Sequence, residues 1–116
     1  MRNFRKYEIW HRAIALTKEI YKMTESYPNH EKFGIISQMR RAGVSIASNI
    51  AEGASRSTEK DFARFLEISL GSAFEVETQL IISVEIDFIG EEQSNRLLSE
   101  LSILQKQINQ FLRKLK

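Results

Sequence analysis

The chain has 116 residues, of which 42% are hydrophobic, and this length suits a single domain, residues 1–116, with one core. It contains no cysteine, which excludes a disulfide framework and any zinc site with thiolate ligands. Its 17 Lys and Arg against 15 Asp and Glu give a net charge of +2, a mild basic bias. No apolar run resembles a signal peptide or approaches the roughly 18 residues that span a bilayer, so we predict a cytoplasmic protein with no membrane partner.

The charge is unevenly distributed along the chain. Residues 58–90 carry seven Asp and Glu against two Lys and Arg, whereas the segments before and after them are net basic. One acidic segment among basic ones indicates charge complementarity within or between chains as readily as a nucleic-acid surface.

Apolar residues recur at helical spacing near the N-terminus and predict a first helix over residues 6–26. The pattern ends before Pro28, the only proline, because proline disfavours helical backbone at the residue before it. A second row of bulky side chains beside the main stripe indicates a helix packed on two sides. The stripe is Ile9, Ala13, Leu16, Ile20 and Met23, and the second row is Trp10, Ile14, Thr17 and Tyr21.

A second helix is predicted from near Asn29 or Glu31 to Gly53, and apolar, small and polar residues occupy its adjoining faces. Glycine inside a helix costs roughly 1 kcal/mol relative to alanine, so Gly43 indicates close approach of another helix. The apolar stripe is Ile35, Met39, Ala42, Ile46 and Ile50; the small residues are Ala42, Gly43, Ala47, Ser48 and Ala51; the polar ones are Arg41, Ser45, Ser48, Asn49, Glu52 and Arg56.

Two further helices complete the predicted fold. Thr58 and Asp61 have the spacing of a helix N-cap, and Gly90 is expected to end the third helix. Four helical patterns with short breaks predict an all-α, antiparallel up-down four-helix bundle. The third stripe is Phe62, Phe65, Leu66, Leu70, Ala73, Val76, Leu80 and Val84, and the fourth is Leu97, Leu101, Leu104, Ile108, Phe111 and Leu115.

No residue pattern predicts catalysis or a cofactor. Glu8 and His11 have the Glu-x-x-His spacing of bundle di-iron sites, but His30, the only other histidine, has no glutamate at the matching position. No Gly-x-Ser-x-Gly motif or glycine-rich phosphate loop is present. We therefore predict a non-enzymatic protein without metal or cofactor.

The small and polar residues of helices two and three have two interpretations. The polar ones could, together with Arg41, be a catalytic cluster, or the whole set could form an oligomer interface or a hydrogen-bond network that fixes register. The second interpretation is favoured because no nucleophile stands beside a base. The residues are Gly43, Ser45, Ser48, Asn49, Glu52, Gly71, Ser72, Glu75 and Gln79.

Basic residues are predicted to surround the turn between helices two and three. They could bind nucleic-acid phosphates, or they could form a solvated rim paired with Glu59 and Asp61, and the pattern favours neither. The residues are Arg40, Arg41, Arg56, Lys60 and Arg64.

The motifs Gln-x-Arg-Arg-Ala at residues 38–42 and Ser-x-x-x-Asn-Ile-Ala-Glu-Gly at residues 45–53 resemble the bacterial four-helix-bundle proteins of 23S ribosomal RNA intervening sequences. Leu70-Gly71-Ser72 and the residues that follow add to this resemblance, which covers essentially the whole chain. Ala47 stands where the family usually has proline, so helix two is expected to be straighter here.

The resemblance implies a homopentamer without enzymatic activity. It also implies a fold similar to the accessory variability protein of diversity-generating retroelements, a basic protein that works with a reverse transcriptase and nucleic acid. Our leading hypothesis is a ring-forming bundle whose basic surface binds RNA or an RNA-bound protein. The alternative is a homo-oligomeric protein-interaction scaffold with no nucleic-acid role.

Overall fold

Four α-helices account for most of residues 2–115, the part of the chain that the computed structural model describes. They are α1 (Glu8–Thr24), α2 (Ile35–Ala54), α3 (Glu59–Glu85) and α4 (Glu91–Leu115), and short 3₁₀-helices span Phe4–Lys6 and Asn29–Glu31. No strand occurs within these residues. The predicted all-α fold with four packed helices is therefore confirmed.

Contacts between successive helices show that neighbours run antiparallel. On α2 and α3, Ser45 bonds Ser72 while Ile46 accepts a hydrogen bond from Ser69, so residue numbers rise on one helix as they fall on the other. Helix α1 meets α4 in the same sense, and each helix contacts the next along the chain. The remaining antiparallel pairs are Arg12 with Glu100, Tyr7 with Phe111, Arg40 with Tyr21, and Gln105 with Glu77.

Two predicted helix boundaries are wrong. Helix α2 begins at Ile35, several residues after its predicted start, because Gly34 has φ −103° and ψ −119°, outside the helical range. Helix α3 ends at Glu85, five residues before Gly90, and Asp87 in the following turn has φ 63°. Aspartate tolerates this left-handed conformation better than most residues. At the start of α3 the predicted cap is present, since the Asp61 N–H donates to Thr58 Oγ1 at 3.1 Å.

The apolar stripes of the four helices form the core. Every residue of the predicted α1 stripe is buried, and Met39, Ile46, Leu66 and Ile108 are among the most completely enclosed side chains. The second row on α1 stays largely outside this core, with Ile14 45% exposed and Tyr21 41% exposed. None of the helices within residues 2–115 combines the length and apolarity needed to cross a membrane.

Glycine lets α2 approach both of its neighbours closely. A Cβ atom on Gly53 would lie 2.8 Å from Phe65 Cβ and 2.9 Å from Phe62 Cδ1, which is too close to be tolerated without movement of α3. A Cβ atom on Gly43 would lie 3.2 Å from Thr17 Oγ1 and from Ile20 Cδ1 on α1. Packing within one chain thus explains why both positions are small.

We expect Gly53→Ala to destabilise the fold by about 1–3 kcal/mol, because α3 must move to admit the methyl group. Gly71→Ala is the matched control: nothing lies within 4 Å of its added Cβ atom, so the better helix propensity of alanine should stabilise the fold by up to about 1 kcal/mol. Urea unfolding of both variants measures the difference. A neutral Gly53→Ala would contradict the close approach of α2 and α3.

One end of the bundle is closed by an aromatic contact between two turns. The Tyr27 ring, after α1, packs edge-on against Phe88, after α3, with ring centroids 5.3 Å apart. Burial raises the pKa of the Tyr27 hydroxyl above its ordinary value of 10.0, and the neighbouring Ser83 hydroxyl offsets part of this rise. Ionisation of Tyr27 is therefore harder in the folded chain than in the unfolded chain.

Because the folded pKa of Tyr27 is the higher one, the folded state retains a proton that the unfolded state loses as the pH rises above 10. We expect the free energy of unfolding to decline above that pH, and Tyr27→Phe to reduce this decline. Urea unfolding between pH 8 and about pH 11 provides the measurement. Tyr21→Phe, which removes an exposed hydroxyl, is the control and should retain the wild-type decline; an equal change in both variants would contradict the role of burial.

Candidate nucleic-acid interface

Arg40 is partly exposed and is held against α1. Its Nε donates to Thr24 Oγ1 at 2.9 Å, one terminal nitrogen donates to the Tyr21 carbonyl at 3.2 Å, and its Cζ lies 4.5 Å from the centre of the Tyr21 ring. These contacts use two of the five N–H donors of the guanidinium group. Arg40 therefore joins α1 to α2, a role that the sequence did not indicate.

Arg41 is exposed, and it makes no hydrogen bond or ion pair within residues 2–115. It lies six residues from the start of α2, whereas the turn to α3 begins after Ala54. At 1.5 Å of rise per residue, Arg40 and Arg41 are roughly 20 Å from that turn. The structure thus separates them from Arg56, Lys60 and Arg64, and the predicted single patch around the turn is wrong.

Three aromatic rings bring distant parts of the chain together beside the same turn. Tyr7 stacks on Phe62 at 6.1 Å, and both rings contact Phe111, at 5.0 Å and 5.3 Å. They join the segment before α1, the first turn of α3 and the last turns of α4. We call the resulting surface the basic end and define it as residues 2–8, 52–64 and 107–114.

The basic end carries eight Lys and Arg against four Asp and Glu. Only three of these cations were predicted to lie beside the turn. The other five belong to residues 2–8 and 107–114, which are distant from the turn in sequence. All except Arg2 have exposed side chains. The basic residues are Arg2, Arg5, Lys6, Arg56, Lys60, Arg64, Arg113 and Lys114.

The opposite end has the reverse charge. Residues 22–34 and 85–92, joined by the contact of Tyr27 with Phe88, carry six Asp and Glu against two lysines. The long dimension of the molecule is 43 Å. Separation of opposite charges over this length orients the protein in the field of a polyanion, so that the basic end approaches first.

Arg2 connects the N-terminal segment to the turn between α2 and α3. One guanidinium nitrogen donates to the carbonyl of Arg56 at 2.6 Å and to that of Ala54 at 3.4 Å, and the Arg2 Cζ lies 4.9 Å from the centre of the Phe62 ring. Carbonyl groups at the C-terminus of a helix lack partners within the helix, and Arg2 supplies one here. This contact holds the turn in place.

Two guanidinium groups share the Phe65 ring at the edge of the basic end. The Cζ of Arg56 lies 4.6 Å from the ring centre and that of Arg64 lies 4.8 Å from it. Arg56 also pairs with Glu52 at 3.3 Å, a pair that is exposed and therefore weak. Because the ring restricts both side chains, less conformational entropy is lost when they bind an anion.

The polar residues between α2 and α3 form hydrogen bonds with one another. Asn49 Nδ2 donates to Ser45 Oγ at 2.9 Å and to the Ser45 carbonyl at 2.8 Å, and Ser72 Oγ donates to Ser45 Oγ at 2.8 Å. A separate contact runs from Gln79 Nε2 to Glu75 at 3.4 Å. Among the other predicted residues of this group, Ser48 and Gly71 are exposed, and Glu52 pairs with Arg56.

Glu8 and His11 have other partners than a metal. Glu8 pairs with Arg12 at 3.1 Å, and His11 Nε2 lies 2.6 Å from the Arg5 carbonyl oxygen. Within residues 2–115, no three side chains of His, Asp or Glu lie together as a metal site would require.

Comparison with known proteins identifies relatives of the chain and its fold. The sequence model of the 23S rRNA-intervening sequence protein family matches residues 5–110. Six chains of solved structures match, and one of them is a protein of unknown function from the S23 ribosomal protein family of Bacteroides thetaiotaomicron. It superposes with a TM-score of 0.81 and 23% identity over 90% of this chain and 97% of that chain. No curated protein matches.

Arg40 bonds α1 whereas Arg41 is exposed, so substitutions at these two adjacent residues should affect stability differently. We expect Arg40→Met to destabilise the fold by about 1–2 kcal/mol, because it removes two hydrogen bonds to α1 and leaves the buried Thr24 hydroxyl with one bond fewer. The matched variant Arg41→Met should change stability by less than about 0.5 kcal/mol. Urea unfolding compares the two, and equal destabilisation would contradict the assignment of Arg40 to the contact between α1 and α2.

Proposed function

The chain belongs to the 23S rRNA-intervening sequence protein family, and from this premise we propose that it is a non-enzymatic, cytoplasmic protein that binds RNA through its basic end. We further propose that it assembles with copies of itself, as a homopentameric ring. Both parts of the proposal concern surfaces rather than a catalytic centre.

The observation that carries RNA binding is the gathering of cations from three parts of the chain. A net charge of +2 would be a weak argument, but the three segments that meet at the basic end contribute eight basic residues to one end of the bundle. Phosphate contacts by Lys and Arg release condensed counterions and supply most of the affinity of non-specific binding. The family's connection with ribosomal RNA makes RNA the preferred polyanion.

Recognition at this surface would depend on backbone phosphates rather than on bases. The ring of Phe62 is buried and that of Tyr7 is only partly exposed, so neither presents an open face for base stacking. Arginine and lysine can instead contact phosphates of any sequence. We therefore expect binding that tolerates changes of RNA sequence and weakens steeply with salt.

The hydroxyl groups between α2 and α3 support a structural role over a catalytic one. Ser45 and Ser72 bond each other, and Asn49 completes the cluster. Within residues 2–115, no histidine, lysine or carboxylate bonds to either serine, as activation of a nucleophile would require. This arrangement supports the non-enzymatic part of the proposal.

A scaffold role without RNA is the second candidate function. It is favoured by large apolar side chains that the described residues leave exposed, including Phe33 at 89% and Phe74 at 50% exposure. Exposed apolar surface of this kind is typical of protein interaction sites. Under this alternative, removal of cations from the basic end would leave the biological partner bound.

We expect Lys60→Gln with Arg64→Gln to weaken binding to single-stranded RNA and to reduce its salt dependence. For each phosphate that the variant no longer neutralises, the slope of log K against log salt concentration should become shallower by roughly 0.7. Fluorescence anisotropy with a labelled RNA, titrated with wild type and variant at several salt concentrations, gives both slopes.

The control variant Lys22→Gln with Arg96→Gln removes the same charge away from the basic end and should bind RNA nearly as well as wild type. Equal weakening by both pairs would show that only net charge matters and would contradict an RNA site at the basic end. Absence of RNA binding by wild type at low salt would overturn the RNA part of the proposal altogether.

A further inference from the structure

The outward side of α3 carries large apolar side chains that stay exposed within the described residues 2–115. Ile68 and Ile82 each lie seven residues, or about two helical turns, from Glu75 and form one row. Phe74 and Ile81 form a second row about 100° round the helix, so the two rows flank its outward side. Their exposures range from 43% for Ile82 to 50% for Phe74. We call this surface the α3 face and define it as Ile68, Phe74, Ile81, Ile82 and Ile86.

Between Ile68 and Ile86, the charged residues of α3 are all acidic. Residues 65–85 contain four glutamates and no lysine or arginine. Glu75 and Glu85 are exposed beside the apolar side chains. An apolar surface with a negative rim requires a partner that is apolar and positively charged.

A surface with these properties lies on the opposite pair of helices. A shallow depression of about 710 Å³ between the start of α2 and α1 is lined by Tyr21, Phe33 and Val44, which are 41%, 89% and 43% exposed. Its charged lining residues are Lys32, Arg40 and Arg41, without any carboxylate. We call this surface the α1–α2 groove.

We infer that the α3 face of one copy docks in the α1–α2 groove of a second copy. This inference deepens the self-association proposed above by assigning the two surfaces that meet. Burial of the apolar side chains supplies the favourable free energy, and the positive groove matches the negative face. Contact between two α3 faces would place glutamates opposite glutamates, and contact between two grooves would place arginines opposite arginines, so like surfaces repel.

The two surfaces also occupy the same level of the bundle. Arg41 lies six residues from the start of α2, and Ile82 lies three residues from the end of α3; both of these helix ends belong to the acidic end of the molecule. Copies that stand side by side with their acidic ends aligned therefore bring groove and face together. Because the contact joins two different surfaces, it continues from copy to copy and ends only when the assembly closes as a ring.

Complementation between two variants tests this arrangement. Phe33→Glu with Val44→Glu should prevent binding through the groove, and Ile81→Glu with Ile82→Glu should prevent binding through the α3 face. Each pair would bury unpaired carboxylates in the interface. Light scattering coupled to size exclusion should show an oligomer for wild type and a monomer for each variant alone. An equimolar mixture should give a one-to-one dimer, because the first variant retains the α3 face and the second retains the groove.

The substitutions alter exposed side chains, and circular dichroism establishes that each monomer remains folded. Ile103→Glu, on α4 and 37% exposed, is the matched control and should retain the wild-type oligomer. Variants that keep the wild-type mass, or monomers that fail to combine, would overturn the inference while leaving self-association intact. A monomeric wild type, or one whose α3 face is covered by a different protein, would overturn both the inference and the proposed self-association. The RNA titration tests RNA binding at the basic end independently of these outcomes.

Discussion

The close approach of α2 to its two neighbours is the constraint from which the positions of the candidate surfaces follow. Gly53 admits the Phe62 and Phe65 side chains of α3, Gly43 admits α1, and Ser69 donates to the Ile46 carbonyl across the same contact. With α2 fixed in this way, its C-terminal turn lies beside the N-terminal segment, where Arg2 bonds two of its carbonyls. The basic end is therefore a product of helix packing rather than of a basic stretch of sequence.

Periodicity was sufficient to predict the four helices and their buried stripes, because a stripe at helical spacing depends only on local order. It could not predict the start of α2 at Ile35, which depends on the backbone conformation of Gly34. Nor did it reveal that residues 2–8 and 107–114 meet beside the turn between α2 and α3. That juxtaposition follows from antiparallel topology once the helices are placed, and five of the eight cations at the basic end were missed because charges were considered segment by segment.

The small residues of α2 and α3 show that a sequence pattern alone does not predict which of them are buried. Gly43 and Gly71 have the same type of sequence context, yet Gly43 is buried against Thr17 and Ile20, whereas no atom lies within 4 Å of a Cβ added to Gly71. Spacing showed that another helix was expected near Gly43 but not whether that helix belonged to the same chain. Similarly, Arg40 and Arg41 are adjacent in sequence, but one bonds α1 and the other faces solvent.

The sides and the ends of the bundle suit different partners. Apolar surface lies along the sides, on α3 and between α1 and α2, while excess positive charge lies at one end. Contacts between sides would leave the basic ends free and place them on one rim of the assembly. If the assembly binds RNA as proposed, each basic end would hold the RNA at high effective concentration for its neighbours, so weak phosphate contacts would reinforce one another without any new contact. A chain with a net charge of only +2 can in this way bind a polyanion as an assembly more tightly than any single copy would.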